Sequence, residues 1–193
     1  SGPAACLGGI YNGVYNIEIT AAYASIANKG TYTEPIVYTH IYDHDGNLLY
    51  EKIPETHVSM KETTAALLTN AMQDVVTSGT GTACRLNNMP VAGKTGTTSD
   101  DKDVWFVGYT PYYTAGVWAG YDIPTSKLKG TGEKNYHKKL WKSVMSRIHE
   151  DLENKAFEKP EDIIEVAVCS ESGKLPVPGL CDMDPRGCIV NEY

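Results

Sequence analysis

Three short strand-like runs in the middle of the chain constrain its fold more than any other feature. They are VAGKTGTT at residues 91–98, DVWFVGYT at 103–110 and YTAGVWAGYD at 113–122. In the second run, Trp105 and Val107 alternate with Val104 and Phe106, as in a sheet that is covered on both faces. Only short turns join the runs, whereas a parallel pair needs a crossover of a dozen residues or more. The sequence therefore predicts an antiparallel sheet.

Apolar residues at helical spacing predict three helices that cover this sheet. They occupy about residues 16–28, 59–79 and 134–152. Their predicted buried stripes are Ile19, Ala22, Tyr23 and Ile26; Leu67, Leu68, Ala71, Met72, Val75 and Val76; and Leu140, Trp141, Val144, Met145, Ile148 and Leu152. Ser59 and Glu62 have the spacing of a capping box, and Asp45-Gly46 between two β-rich runs predicts a hairpin. The predicted fold class is α+β, an antiparallel sheet flanked by helices.

Charge and cysteine spacing argue against several classes of function. The formal net charge is −7 and the acidic residues are scattered, so no nucleic-acid partner is predicted. No apolar run approaches the roughly 20 residues of a membrane helix. The five cysteines form no C-x-x-C pair, so neither a metal nor a cofactor is predicted. The scattered histidines are predicted to face solvent; they are His40, His44, His57, His137 and His149.

The run VAGKTGTT contains the endings of two different motifs. Gly93-Lys94-Thr95 could close a phosphate-binding loop of the form G-x-x-x-x-G-K-[ST]. The first glycine of that loop is replaced by Asn88, and Pro90 has no N–H to donate to a phosphate. Strands follow, where such a loop would be followed by a helix. The phosphate-loop hypothesis therefore fails on residues and on context.

As a strand, the same run can bind the end of a peptide. Thr95 and Thr97 point to one face, where two hydroxyls can hold one carboxylate, and Lys94 adds a positive charge. Gly96 lets a substrate backbone approach closely. An edge strand can pair with an extended peptide, and the Thr97 N–H is then a candidate oxyanion-hole donor. An ordinary polar strand end could carry the same four residues.

Four stretches together resemble the penicillin-binding transpeptidases, and most closely the bifunctional class that also polymerises glycan strands. They are GGIYNGV…AAYASIANKG, SGTGTA, VAGKTGTTSDD and DVWFVGYTP. Lys-Thr-Gly is a signature of that family. The resemblance extends from Leu7 to about Glu153. It implies a penicillin-binding and serine β-lactamase-like transpeptidase fold that is incomplete here, because its N-terminal portion is lacking.

This resemblance implies a peptidoglycan D,D-transpeptidase. In that family a serine of a Ser-x-x-Lys motif attacks the D-Ala-D-Ala end of a stem peptide, and an amine converts the acyl-enzyme into a crosslink. β-Lactams acylate the same serine, so the implied partners are the stem peptide and β-lactams. By this match Lys94 is the catalytic residue that helps to orient the hydroxyl network. The substrate-binding residues are Thr95, Gly96, Thr97 and Thr98.

The nucleophile that this family needs is not evident in the chain. Ser-x-x-Lys occurs only at Ser99 and Ser126, both after Lys-Thr-Gly and in charged loops, and Ser-x-Asn does not occur. We therefore expect residues 1–158 to be the C-terminal part of a transpeptidase domain and 159–193 to be an extended tail. The missing N-terminal part of the same domain would be a partner, and this chain alone would be inactive. The alternative is a non-catalytic peptide- or β-lactam-binding module.

The resemblance also implies a location outside the cytoplasmic membrane, with the parent protein held by an N-terminal anchor that this chain lacks. Disulfides can form there. The preferred bridge in the tail is Cys169–Cys181, Cys181–Cys188 competes with it, and Cys6 with Cys84 is a further pairing.

Three other features have structural interpretations. The SGTGTA segment is predicted to end a helix, to form a turn and to shape the cleft. Trp105 and Trp118 are predicted to be core residues rather than substrate-stacking platforms. The acidic residues after Lys-Thr-Gly are predicted to form a solvated turn; they are Asp100, Asp101 and Asp103.

Overall fold

A computed structural model describes residues 8–10, 13–123, 126–185, 187 and 189–192. The chain divides into two compact units, Ser1–Glu158 and Lys159–Tyr193. The described helices of the first unit are α1 (Asn16–Ala27), α2 (Glu62–Thr77) and α3 (Gly130–Ile148). Its described strands are β1 (Thr31–Thr33), β2 (His40–Tyr42), β3 (Leu48–Glu51), β4 (Thr56–Val58), β5 (Ala92–Thr97), β6 (Asp103–Tyr109) and β7 (Thr114–Gly120). Among the described residues, short 3-10 helices cover Thr82–Cys84 and Ser99–Asp101.

The predicted antiparallel sheet is confirmed as the centre of the first unit. Its strand order is β5-β6-β7, and both pairs are antiparallel. The turn between β6 and β7 is fixed by a Thr110 N–H that donates to the Tyr113 carbonyl at 2.9 Å. Chain order and spatial order coincide because both connections are too short for a crossover. The strand that carries Lys-Thr-Gly is therefore at an edge of this sheet.

Helices pack on both faces of the sheet, which makes two hydrophobic clusters. In the first, the Phe106 ring meets the Trp141 indole of α3 edge to face, with centroids 5.0 Å apart. Its buried members are Val76, Cys84, Val91, Phe106, Trp141 and Met145. In the second, residues of α1 and α2, together with Ala92 and Phe157, surround Tyr109, whose hydroxyl lies 2.7 Å from that of Thr69. Phe106 and Tyr109 reach opposite faces because side chains alternate along a strand.

The helices are confirmed, but all three of their predicted buried stripes are partly wrong. In α1 the buried residues are Ala21 and Ser25, whereas the predicted stripe member Ala22 is exposed. In α3 the buried residues are His137, Trp141 and Met145, which lie four apart and form a single row. The predicted stripe members Leu140, Val144 and Ile148 are each more than a third exposed. In α2 the buried residues are Ala65, Thr69, Met72 and Val76, whereas Leu67 and Leu68 are exposed. Each helix has more apolar surface than this three-stranded sheet covers.

The start of α2 differs from the predicted capping box. The Ser59 hydroxyl donates to the Gly30 carbonyl at 2.9 Å and does not cap the helix. The helix begins at Glu62, and its N-cap residue, Lys61, has no side-chain cap hydrogen bond. Ser59 has this other partner because the strand pair β1–β4 brings residue 30 next to residue 59.

Two histidines predicted to face solvent are buried. His149 bridges the end of α3 to the β6–β7 turn: its Nδ1 lies 2.7 Å from the Met145 carbonyl and its Nε2 lies 2.8 Å from the Thr110 hydroxyl. His137 is 3% exposed, and its Nδ1 has no hydrogen-bond partner among the described residues. Burial lowers the pKa of His137 to about 4. The sequence pattern missed both because His137 lies on the apolar row of α3 and His149, the C-cap residue of that helix, follows four residues after Met145.

The predicted hairpin around Asp45-Gly46 is confirmed as β2–β3. The Asp43 carboxylate accepts the backbone N–H groups of Asp45 and Asn47 at 2.9 and 2.8 Å. Gly46 has φ +85°, a conformation that side chains disfavour. The turn residues therefore fix the hairpin through their own local hydrogen bonds.

The second unit contains one antiparallel pair, β8 (Val166–Cys169) with β9 (Ile189–Glu192). The predicted Cys169–Cys181 bridge is not formed. A tight turn follows β8, in which the Cys169 N–H donates to the Lys174 carbonyl at 2.8 Å. The Cys181 sulfur is instead placed against its own loop, 3.3 Å from the Val177 nitrogen. Cys6 and Cys188, which the other predicted pairings need, lie outside the described residues.

Candidate functional site

The backbone of β5 presents hydrogen-bonding groups at an edge that no other described strand pairs with. The Thr98 N–H donates to the Asp103 carbonyl of the neighbouring strand at 3.1 Å. Along an antiparallel strand the groups that face one neighbour alternate, so Gly96 and Lys94 also face β6. The N–H and C=O groups of Thr95 and Thr97 consequently point away from β6. The Thr97 N–H is thus available to a ligand at this edge.

Burial changes along β5. Ala92 and Gly93 are buried where α2 packs against the strand, whereas Lys94 and Thr97 are exposed. A strand with one end in the core and the other in solvent holds its exposed backbone in a fixed position. The open part of the edge is therefore the Lys-Thr-Gly-Thr segment itself.

The predicted site residues line one cavity of about 500 Å³. Lys94, Thr95, Gly96, Thr97 and Thr98 all belong to its lining. Further wall residues come from α1, from the segment before it and from β6; they include Ile10, Val14, Tyr23, Trp105 and Val107. Burial raises the pKa of the Tyr23 hydroxyl, which therefore stays protonated at neutral pH. The cavity combines apolar walls with a row of polar groups along one strand.

Three of the site side chains have hydrogen-bond partners within the chain. The Lys94 ammonium donates to the Thr95 carbonyl at 2.9 Å, and the Thr95 hydroxyl lies 2.7 Å from the Thr80 hydroxyl. The Thr98 hydroxyl accepts the Asp103 backbone N–H at 2.9 Å and lies 3.3 Å from the Asp103 carboxylate. Thr98 therefore holds the turn after β5, while Thr97 presents an exposed side chain. Thr80 belongs to the SGTGTA segment, which was predicted to shape the cleft, but Thr80 itself was not predicted as a site residue.

Gly96 lies across from Trp105 in the β5–β6 register. A Cβ built on Gly96 would be 3.3 Å from the Trp105 Cβ, a tight but not impossible contact. The fold therefore tolerates a small side chain here with a minor shift. Because glycine has no side chain, the backbone of an extended ligand can approach the strand closely at this position.

Trp118, predicted to be core, is 38% exposed. Its indole N–H donates to the Asp103 carboxylate at 2.9 Å, and its ring lies 6.5 Å from that of Trp105. Both tryptophans border a second cavity of about 610 Å³ next to the first. Trp118 remains accessible because β7 is the other edge strand of the sheet. Asp103 consequently acts as a structural acceptor rather than as part of a solvated turn.

The acidic turn after the site is held by ion pairs. Asp100 pairs with Lys127 at 3.0 Å, and Asp101 pairs with Lys134 of α3 at 2.6 Å. The hydrogen bond and the positive charge of Lys127 lower the pKa of the Asp100 carboxyl. The two Ser-x-x-Lys stretches lie in this region: Ser99 begins a short exposed 3-10 helix, and Ser126 lies in the loop before α3.

The described part of the chain was searched for metal-binding clusters and for membrane-spanning helices. No cluster of three or more His, Cys, Asp or Glu side chains there could hold a metal ion. None of the described helices combines the length and apolarity needed to cross a bilayer.

Comparison with known proteins identifies the family. Residues 10–148 match the penicillin binding protein transpeptidase domain. Penicillin-binding protein 1A of Clostridium botulinum (strain Langeland) is 38% identical over 189 residues, which cover 97% of this chain and 22% of that protein. Penicillin-binding protein 1A/1B of Bacillus subtilis is 33% identical over 198 residues, covering 94% of this chain and 21% of that protein. The chain belongs to the penicillin-binding protein transpeptidase domain family.

Solved structures agree with this assignment. The penicillin-binding protein PonA1 of Mycobacterium tuberculosis matches with a TM-score of 0.67 and 25% identity, over 77% of this chain and 42% of that one. Penicillin-binding protein 1A of Haemophilus influenzae matches with a TM-score of 0.76 over 86% of this chain and 31% of that one; at 19% identity it shows the fold alone. The α+β transpeptidase fold expected from the sequence is therefore confirmed. The chain spans about a fifth of the length of the curated relatives it matches.

Proposed function

We propose that this chain forms the Lys-Thr-Gly side of the active site of a peptidoglycan D,D-transpeptidase. The observation that best supports this proposal is the free edge of β5 among the described strands. There the Thr97 N–H points away from β6, and the Thr97 side chain is exposed. A stem peptide that ends in D-Ala-D-Ala would lie along this edge as an added strand. The hydroxyls of Thr95 and Thr97 would bind its terminal carboxylate, and Lys94 would add positive charge.

The reaction is acyl transfer in two steps. A serine oxygen attacks the carbonyl carbon of the penultimate D-Ala, the peptide C–N bond breaks, and D-alanine leaves with the proton. An amine of a second stem peptide then attacks the same carbon, the ester C–O bond to the serine breaks, and the serine oxygen takes up the proton that the amine loses, which leaves the crosslink. The Thr97 N–H would stabilise the negative charge that develops on the attacked carbonyl oxygen in both steps. Lys94 would orient the hydroxyl network of the nucleophile.

In this proposal, the nucleophilic serine lies in a part of the full-length protein that this sequence does not include. Ser99 and Ser126 both follow Lys94; Ser99 begins an exposed 3-10 helix, and Ser126 lies in the loop before α3. A nucleophilic serine needs a general base within hydrogen-bond reach. The full-length protein would act outside the cytoplasmic membrane, held by an anchor elsewhere in its chain. It would be acylated by β-lactams, as the PonA1 complex with penicillin V indicates for that protein.

The test replaces Thr97 in the full-length protein. Thr97→Val removes one hydroxyl donor and keeps the shape, so acylation by a fluorescent penicillin should slow roughly ten- to a hundredfold. Thr56→Val on β4, exposed and remote from the cavity, is the matched control and should leave the rate unchanged. An unchanged rate for Thr97→Val would show that the carboxylate binds elsewhere.

A second experiment separates the enzyme from a binding module without a nucleophile. The isolated chain should not be labelled covalently by a fluorescent penicillin, as intact-protein mass spectrometry would show. A stoichiometric acyl adduct on the isolated chain would contradict the proposal. The coding sequence upstream of Ser1 gives an independent result: Ser-x-x-Lys followed by Ser-x-Asn supports the enzyme, and an unrelated domain supports the module.

A further inference from the structure

A hydrogen bond joins the SGTGTA loop to the site strand. The Thr80 and Thr95 hydroxyl oxygens are 2.7 Å apart, a normal distance for an O–H···O bond. Thr95 is the residue to which the proposed function assigns carboxylate binding. Thr80 is fifteen positions away in sequence, on the turn that follows α2.

The loop holds Thr80 in a defined position. The Gly79 N–H donates to the Asp74 carbonyl at 3.0 Å, and the Gly81 N–H donates to the Val75 carbonyl at 2.8 Å. A Cβ on Gly79 would be 2.9 Å from the Val75 Cα, so the backbone packs too closely for a side chain. On Gly81 it would be 3.1 Å from the Val75 carbonyl oxygen. Two close backbone approaches to the last turn of α2 therefore flank Thr80 and fix its direction.

The hydrogen-bonding capacity of the two hydroxyls determines which of them is the donor when a ligand is bound. Each hydroxyl has one proton to donate and two lone pairs to accept with. A carboxylate can only accept hydrogen bonds, so the Thr95 hydroxyl must donate its single proton to a carboxylate bound there. The bond between the two threonines then runs from the Thr80 O–H to the Thr95 oxygen, and hydrogen bonds in series strengthen one another.

We propose that Thr80 is a positioning residue, which fixes the Thr95 hydroxyl as a donor toward a substrate or β-lactam carboxylate. The inference rests on the proposed function, because it assumes that Thr95 binds that carboxylate. It predicts that Thr80 matters only for ligands that carry the negative charge. Thr80→Val removes the donor, whereas Thr80→Ser keeps it.

The experiment measures acylation rates of the full-length protein with benzylpenicillin and with its methyl ester, which lacks the negative charge. Thr80→Val should slow acylation by benzylpenicillin about two- to tenfold, the range of one neutral hydrogen bond. Thr80→Ser should keep the original rate, and the rate with the methyl ester should not change. Thr82→Val, the same substitution at an exposed position of the same loop, is the matched control. Thr80→Val should add nothing to Thr95→Val, because both act through one contact.

The possible results distinguish failure of the inference about Thr80 from failure of the proposed function. If Thr95→Val slows acylation but Thr80→Val does not, the inference is wrong and the proposed function stands. If Thr95→Val itself has no effect, the carboxylate role of Thr95 is wrong, and the inference falls with it. Equal slowing of both ligands by Thr80→Val, an equal effect of Thr82→Val, or additive effects of the two valine variants would assign Thr80 a general structural role and overturn the inference.

Discussion

The histidine buried on α3 should make the fold sensitive to mild acid. His137 is 3% exposed, on the same row of α3 as Trp141 and Met145. Its Nδ1 has no partner among the described residues, so a proton added there would be buried without a hydrogen bond. Burial, with a smaller contribution from the positive charge of Lys138, lowers the pKa of His137 from 6.5 to about 4.

The sign and size of the effect follow from this shift. The unfolded chain binds a proton at His137 below about pH 6.5, whereas the folded chain binds it only below about pH 4. The contribution of neutral His137 is therefore complete above pH 6.5 and is lost progressively as the pH falls toward 4. A shift of this size corresponds to about 3 kcal/mol of unfolding free energy. That is a large fraction of the stability of an ordinary domain.

The assay compares the original chain with His137→Gln, which cannot titrate in this range. Chemical denaturation between pH 7.5 and 4 should show the two unfolding free energies converging as the pH falls, because only the original chain loses the His137 contribution. His44→Gln, at a histidine whose side chain is 90% exposed, is the matched control for a His-to-Gln change outside the core. Histidine hydrogen–deuterium exchange by mass spectrometry measures the pKa of His137 directly. A value near 6.5 in the folded chain, or parallel stability profiles, would refute this reasoning.

Three further predictions test other parts of the same structure. Cys84 is buried with a pKa raised to about 12, so iodoacetamide at pH 8 should label its thiol only after denaturation; rapid labelling of the folded chain would contradict its burial. Thr110→Val should destabilise the fold by at least about 2 kcal/mol in chemical denaturation, because it leaves the His149 ring and two backbone N–H groups unpaired, whereas Thr110→Ser should be close to neutral. Gly93→Ala should destabilise more than Gly96→Ala, because its Cβ would lie 2.9 Å from backbone atoms of the neighbouring strand; equal losses in thermal unfolding would refute the comparison.

The elements that local sequence signals determine were predicted correctly. Short connections forced the three central strands to be antiparallel, and Asp45-Gly46 placed the β2–β3 hairpin. The Lys-Thr-Gly strand was predicted at a sheet edge, and the structure has β5 there. These predictions needed only chain geometry and turn chemistry, which act over a few residues.

The errors concern which side chains are buried, because burial depends on the partner surface. Helical spacing selects the apolar residues of α3 but not which of its rows meets the sheet, so Leu140 was predicted buried and His137 exposed. The capping role given to Ser59 failed because a strand pairing offers it another acceptor. The contact between Thr80 and Thr95 joins two segments fifteen residues apart, and hydrophobic periodicity along the sequence does not predict a contact of this kind.

The two ends of β5 hold the residues of the proposed site in place. At one end, Ala92 and Gly93 are buried against the core, and Gly93 lies across from Gly108, where the Phe106 ring leaves no room for a side chain. At the other end, the turn bonds between Thr98 and Asp103 fix the strand again. The backbone of Thr95 and Thr97 lies between these two anchors. Donors that are fixed before a charge develops stabilise it without a cost of reorganisation, which is the physical requirement of an oxyanion hole.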